Sequence, residues 1–168
     1  MTPTALKLLG IVPLIVLATV AGATDSEAPD PLTLWQADKT TAFDAAEIDL
    51  DVFKWIARPV IVFADSENDP AFRRQLELLA ARSEELAERD VVVITDTDPS
   101  ARSAVRIKLR PRGFQLTLIG KDGGVKLRKP FPWDVRELTR QIDKMPIRRQ
   151  EIIDAKAAAR AAGSEQSQ

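Results

Sequence analysis

The chain has 168 residues and contains neither cysteine nor histidine. That composition excludes disulfides, thiol nucleophiles, Cys/His zinc sites and histidine-centred triads. A formal net charge of −1 conceals a split, because residues 24–100 sum to −11 and residues 101–150 to +10; the halves either neutralise one another on packing or form faces of opposite sign.

Met1–Ala23 reads as a secretory signal peptide. Lys7 supplies the positive start, Leu8–Val20 the apolar core, and Ala21-Gly22-Ala23 a small-x-small cleavage site, so the mature chain is expected to begin at Thr24. The apolar stretch is shorter than the roughly 20 residues that span a bilayer. No membrane span is therefore expected after cleavage, an uncleaved anchor being the alternative, and no cysteine follows to carry a lipid. The expected location is the periplasm or the exterior, where a cysteine-free domain must stand on its core alone.

Residues 24–48 are expected to form a flexible stem, with Pro29 and Pro31 among small and acidic residues and with Leu32, Leu34 and Trp35 available to dock. Residues 49–155 are expected to form the domain, and residues 156–168 the end of a final helix and a disordered tail. Ala45–Trp55 reads as a short helix or turn leading in. Pro59–Ala64 is a continuous β-branched apolar run, the signature of a strand covered on both faces. Asp65–Asp69 is a polar loop, and Asp69-Pro70 opens a helix as cap and first residue. Phe72, Leu76, Leu79, Ser83 and Leu86 form one stripe of that helix to about Glu88.

Asp90–Thr95 is a second buried strand. Asp98-Pro99 or Ser100 begins a weaker helix to about Lys108, although Val105, Ile107 and Leu109 alternate and also suit a strand. Phe114–Ile119 is a third strand, Lys121-Asp122-Gly123-Gly124 a hairpin turn, and Val125–Arg128 an antiparallel fourth strand. Trp133–Lys144 is a helix, with Trp133 as a cover for the core or a binding aromatic. Pro146 breaks it, and Ile147–Ala162 is an alanine-rich helix anchored by Ile152 and Ile153, with Gly163–Gln168 a frayed end.

The order β-α-β-α-β-β-α, a mixed four-stranded α/β sheet with helices on both faces plus a C-terminal helix, is that of the thioredoxin fold. The segments Arg58–Ala64, Ile119–Arg128 and Ile142–Glu151 resemble the P-DUDES family, thioredoxin-like modules catalogued as a domain of unknown function and found in secreted bacterial and animal extracellular-matrix proteins. The resemblance covers about residues 50–155 and implies the fold more than an activity. Redox-active thioredoxins carry a dithiol after the first strand, where this chain has Asp65-Ser66-Glu67-Asn68-Asp69-Pro70. They carry a cis-proline before the third strand, where this chain has Gln115. Dithiol exchange is therefore chemically impossible.

Asp65, Glu67 and Asp69 could offer oxygen ligands to a hard cation, or serve only as caps and loop polarity. Ser66 stands where a thiol would sit but has no histidine to activate it. Lys121, Lys126 and Arg128 make the hairpin basic, with Lys126 and Arg128 expected on one face by strand alternation. Arg148 and Arg149 follow the Pro146 kink and suit carboxylate or phosphate; equally, Arg148 or Arg149 could pair with Glu151 or with a carboxylate of the first helix. These five basic residues are the candidate surface for an anion or acidic partner protein. Neither a cofactor nor nucleic acid is expected, since the charge total is near zero and no Gly-rich phosphate loop is present. The function expected is a binding or interaction module. The alternatives are a cysteine-independent enzyme on the Asp65–Asp69 loop, with or without metal, and a structural envelope protein that meets others through its final helix.

Overall fold

The structure, a computed structural model, describes residues 30–165. The expected signal peptide, the first part of the stem and the last three residues lie outside the described residues.

The expected stem is folded from Asp30 onward, and this corrects the reading of it as flexible. Asp30 accepts the backbone N–H of Thr33 and Pro31 occupies the first turn, so Pro31–Ala37 forms helix α1. Trp35 is buried at 1% exposure. It packs edge-on against Phe53 with ring centroids 6.3 Å apart, and its indole N–H donates to the Val91 carbonyl at 3.3 Å. Leu32 packs against the same cluster, whereas Leu34 is exposed. Strand β1 (Ala42–Asp44) follows, then two short 3-10 turns at Ala45–Glu47 and Leu50–Phe53.

Strand β2 (Arg58–Phe63) is buried at all six positions. The helix expected to run to Glu88 is divided into α2 (Pro70–Ala80) and α3 (Ser83–Ala87), because Arg82 leaves helical geometry at φ −140° and ψ 36°. Strand β3 (Val91–Asp96) comes next. Helix α4 (Ala104–Leu109) resolves the ambiguous segment in favour of helix, but it starts after Ser103 rather than at Asp98-Pro99 or Ser100. Ser103 caps it by accepting from Arg106 N–H, and Arg110 ends it in the left-handed region. Strands β4 (Gln115–Ile119) and β5 (Val125–Lys129) form the expected hairpin, with Gly123 at φ +77° in its turn. Helix α5 (Val135–Asp143) is capped by Asp134, and α6 (Pro146–Glu165) follows. Of the two expected anchors of α6, Ile152 is half-buried but Ile153 is exposed, as are the side chains after it to Gly163.

The sheet has five strands in the order β1-β3-β2-β4-β5, one more than expected. β1, β3 and β2 are parallel; β4 runs antiparallel to β2 and β5 antiparallel to β4. The extra strand is the outer edge next to β3, and the former stem supplies it. β2 alternates between two cores. Ile61 and Phe63 join Trp35, Phe53, Ile94 and Leu109 beneath α1, the 3-10 turns and α4. Val60 and Val62 join Phe72, Leu79, Leu118 and Leu138 beneath α2, α3 and α5. Apolar side chains on both faces of one strand explain its unbroken hydrophobic run.

Candidate functional site

The loop Asp65–Asp69 sits at the carboxyl end of β2, but its side chains do not converge. Asp69 accepts from the N–H groups of Ala71 and Phe72 at the start of α2, and Ser66 accepts from Asn68 N–H. Asp65 lies 3.7 Å from Arg106, and Glu67 is exposed. Among the described residues no group of three or more acidic side chains is placed to hold a metal ion. Gln115 opens β4, and no cis peptide bond occurs among the described residues.

Below that loop lies a polar pair that sequence reasoning missed. Asp96 ends β3 at 4% exposure. The Arg106 guanidinium donates to its carboxylate at 2.7 and 2.9 Å, and to the carbonyls of Ala64 and Asp96 at 2.8 and 3.0 Å. Ser103 donates to the same carboxylate at 2.6 Å, and the Phe63 ring lies 5.6 Å from the guanidinium. The pair ties α4 to the ends of β2 and β3.

The opposite end of the sheet holds most of the expected basic residues. Here β2 and β3 begin with Arg58 and, one residue ahead of β3, Asp90. Arg58 is fully buried; it donates to the Arg89 carbonyl at 2.8 Å and to Glu151 at 2.9 Å. Lys121 bridges Glu151 and Asp90, each at 2.8 Å. Lys39 meets the other oxygen of Asp90 at 2.6 Å. Arg148 reaches Glu151 at 3.3 Å and lies 3.6 Å from Asp143, which Arg89 holds by two bonds of 3.0 Å. Charges from the stem, β2, the hairpin and α6 thus lock one end of the fold.

The five candidate residues are therefore not one surface. Lys121 and Arg148 belong to this internal network, and the pairing of Arg148 with Glu151 is the structural alternative raised by their spacing. The expectation that Lys126 and Arg128 share a face fails because the β4–β5 register shifts at Leu118/Ile119. Arg128 crosses to the Leu109 carbonyl of α4 at 2.8 Å. Lys126 instead pairs with Asp122 at 2.6 Å, towards the junction of α5 and α6. Arg149 is exposed on α6.

Between the hairpin and that junction is a cleft of about 280 Å³. Arg58, Lys121 and Lys126 line it with Asp122, Gly120 and the apolar Met145, Pro146 and Ile147. The Nε atoms of Arg58 and Arg148 are buried without a hydrogen-bond partner, donors that buried sites normally satisfy. The electrostatics are set by the network. Burial opposes ionisation of Glu151, but hydrogen bonds from Lys121 and Arg58 outweigh it and hold its carboxyl below the ordinary value. Burial likewise opposes ionisation of Asp90, and Lys121 and Lys39 outweigh it.

Carboxyls with lowered native pKa values add stability above their unfolded value, about 4, and lose it as the pH falls through the folded value. Lys121→Met is therefore expected to lower the denaturant midpoint at neutral pH, and the difference from the parent is expected to shrink progressively as the pH falls below about 4. Parallel urea titrations across that range check this; an equal difference at every pH would refute the coupling.

A mixed sheet of this order, with a β-α-β unit, a terminal hairpin and helices on both faces, defines a thioredoxin-like protein, here one without cysteine. Residues 49–151 match the family model described as Domain of unknown function (DUF4174), and the chain belongs to that family. Among solved structures, it is similar to the reduced 2-Cys peroxiredoxin of Plasmodium vivax at 13% identity and a TM-score of 0.50, covering 62% of this chain and 85% of that one. It is also similar to thioredoxin peroxidase I of Plasmodium yoelii at 15% identity and a TM-score of 0.45, covering 57% and 76%. At 13% identity the likeness to the Plasmodium vivax protein is one of fold, and fold alone does not carry activity.

Proposed function

We propose that the protein is an exported, non-redox binding module that receives an anionic group of a partner protein in the cleft between the β4–β5 hairpin and the α5–α6 junction. The observation that carries this reading is the lining of that cleft: three cationic side chains, one acid and an apolar wall. Ammonium and guanidinium donors beside apolar surface fit a carboxylate on a short alkyl stem, the chemistry of an acidic side chain or a chain terminus. Export is supported by Lys7, the apolar run Leu8–Val20 and the Ala21-Gly22-Ala23 site. Among the described residues no helix is long and apolar enough to cross a membrane.

The test is a titration of the protein with a glutamate-rich peptide, following the backbone amides of Gly120, Lys126 and Ile147 by NMR. Saturable shifts that weaken with salt and vanish in Lys126→Met are the expected result. Shifts that Lys126→Met leaves intact, or none at all, would overturn the assignment to this cleft. The single variants Arg148→Ala and Arg149→Ala separate the two α6 arginines. Binding retained in Arg148→Ala but lost in Arg149→Ala would assign partner contact to Arg149 and network support to Arg148. Sequencing the amino terminus of the exported chain tests cleavage after Ala23.

A further inference from the structure

On the α2–α3 face of the sheet the helices stop short of β1. Ala42 pairs with Val93 in the register of β1 and β3, and Ala80 and Ser83 flank the break between α2 and α3. Three small side chains thus stand where a closed core would carry large ones. The result is a cleft of about 240 Å³ walled by Leu76, Leu79, Leu86, Val91 and Val93. An apolar cavity of about 150 Å³ holds benzene, so this cleft has room for a longer hydrocarbon.

Its remaining lining is Lys39 and Thr40, and no carboxylate lines it. The Lys39 side chain is 42% exposed. Its ammonium sits 5.3 Å from the centre of the Trp35 ring and 2.6 Å from Asp90. Asp90 is also neutralised by Lys121, and an ammonium has three donors, so Lys39 retains positive charge and donors to offer. A greasy interior with one cation at its mouth is complementary to an amphiphilic anion. It lies apart from the basic cleft at the hairpin and does not depend on the function proposed for that cleft.

We propose that this cleft binds the alkyl chain of a medium-chain carboxylate, with Lys39 meeting the head group. Calorimetric titration of the full chain with octanoate, octanol and acetate tests it. Octanoate is expected to bind saturably and acetate not at all. Ala42→Phe and Ala80→Leu, both at exposed positions, fill the cleft and are expected to abolish octanoate binding without lowering the melting midpoint. Lys39→Gln is expected to weaken octanoate at least about tenfold while leaving octanol unchanged. Absence of saturable octanoate binding, or filled variants that bind as the parent does, would overturn the site. Octanol that binds as tightly as octanoate would overturn the assignment of the head group to Lys39.

Discussion

Asp96→Ala is expected to lower stability by about 3–5 kcal/mol, seen as a drop in the urea midpoint at unchanged slope. Removing the carboxylate leaves the Arg106 guanidinium, itself 11% exposed along its side chain, with backbone carbonyls and only the exposed Asp65 carboxylate 3.7 Å away beside the Phe63 ring. It also strips Ser103 of the acceptor for its hydroxyl. The large cost is the charge left uncompensated, not the net value of the pair. Asp96→Leu/Arg106→Met, which replaces both partners by apolar groups, should therefore recover most of the loss. A single-variant cost under about 1 kcal/mol would mean that water reaches the guanidinium and that the pair behaves as a surface one. Failure of the double variant to recover would instead show that α4 needs the hydrogen bonds to Ala64 and Asp96 themselves.

Trp35→Ala should cost about 3–5 kcal/mol as well, the range for truncating a large buried aromatic. The indole fills the space beside Phe53 and Ile94, and its N–H satisfies a carbonyl of β3. Trp35→Phe keeps most of the buried area and loses the hydrogen bond, so an intermediate loss is expected. Equilibrium unfolding measured by far-ultraviolet circular dichroism reads both variants without relying on the tryptophan signal. If Trp35→Ala changed stability by less than about 1 kcal/mol, α1 would be an appendage, and its contact with the core would contribute nothing to the fold.

The parts of the fold that could be read in advance were those with local chemistry. The run Pro59–Ala64, the stripe Phe72–Leu86 and the Asp122-Gly123 turn each state a period or a backbone requirement within a few residues, and the central strands and the hairpin follow. β1 has three residues and one inward side chain, Phe43. No alternation is visible in so short a piece, and the prolines earlier in the segment read as stem although Pro31 begins a helix. The break between α2 and α3 was hidden for the opposite reason. Leu79, Ser83 and Leu86 keep helical spacing across Arg82, and neither glycine nor proline marks the interruption.

The candidate site was less legible because its contacts are remote in sequence. Arg58 and Glu151 are 93 positions apart, and Lys121 and Asp90 are 31 apart. Only the Arg148–Glu151 spacing of one helical turn pointed to a partner. Asp96 and Arg106 resembled ordinary loop and helix-surface charges, and nothing local indicates that both are buried. A charge at the start of an apolar run, as at Arg58 and Asp90, is the sequence feature that coincides with the sheet end where the network forms. The apolar cleft had no signal of its own, since it arises from small residues on three separate elements.

The parallel pairing of β1 with β3 also orders events along a growing chain. The Trp35 indole finds its acceptor 56 positions later, and Ala42 pairs with Val93 only after β2, α2 and α3 have been made. Until then the amino-terminal segment has no sheet to join, and loop closure over that distance must precede any gain from the contact. The segment carrying α1 and β1 is consequently among the last parts of the fold to be secured. A chain that ends before about residue 96 lacks β3 and so leaves Trp35 and Phe43 exposed together.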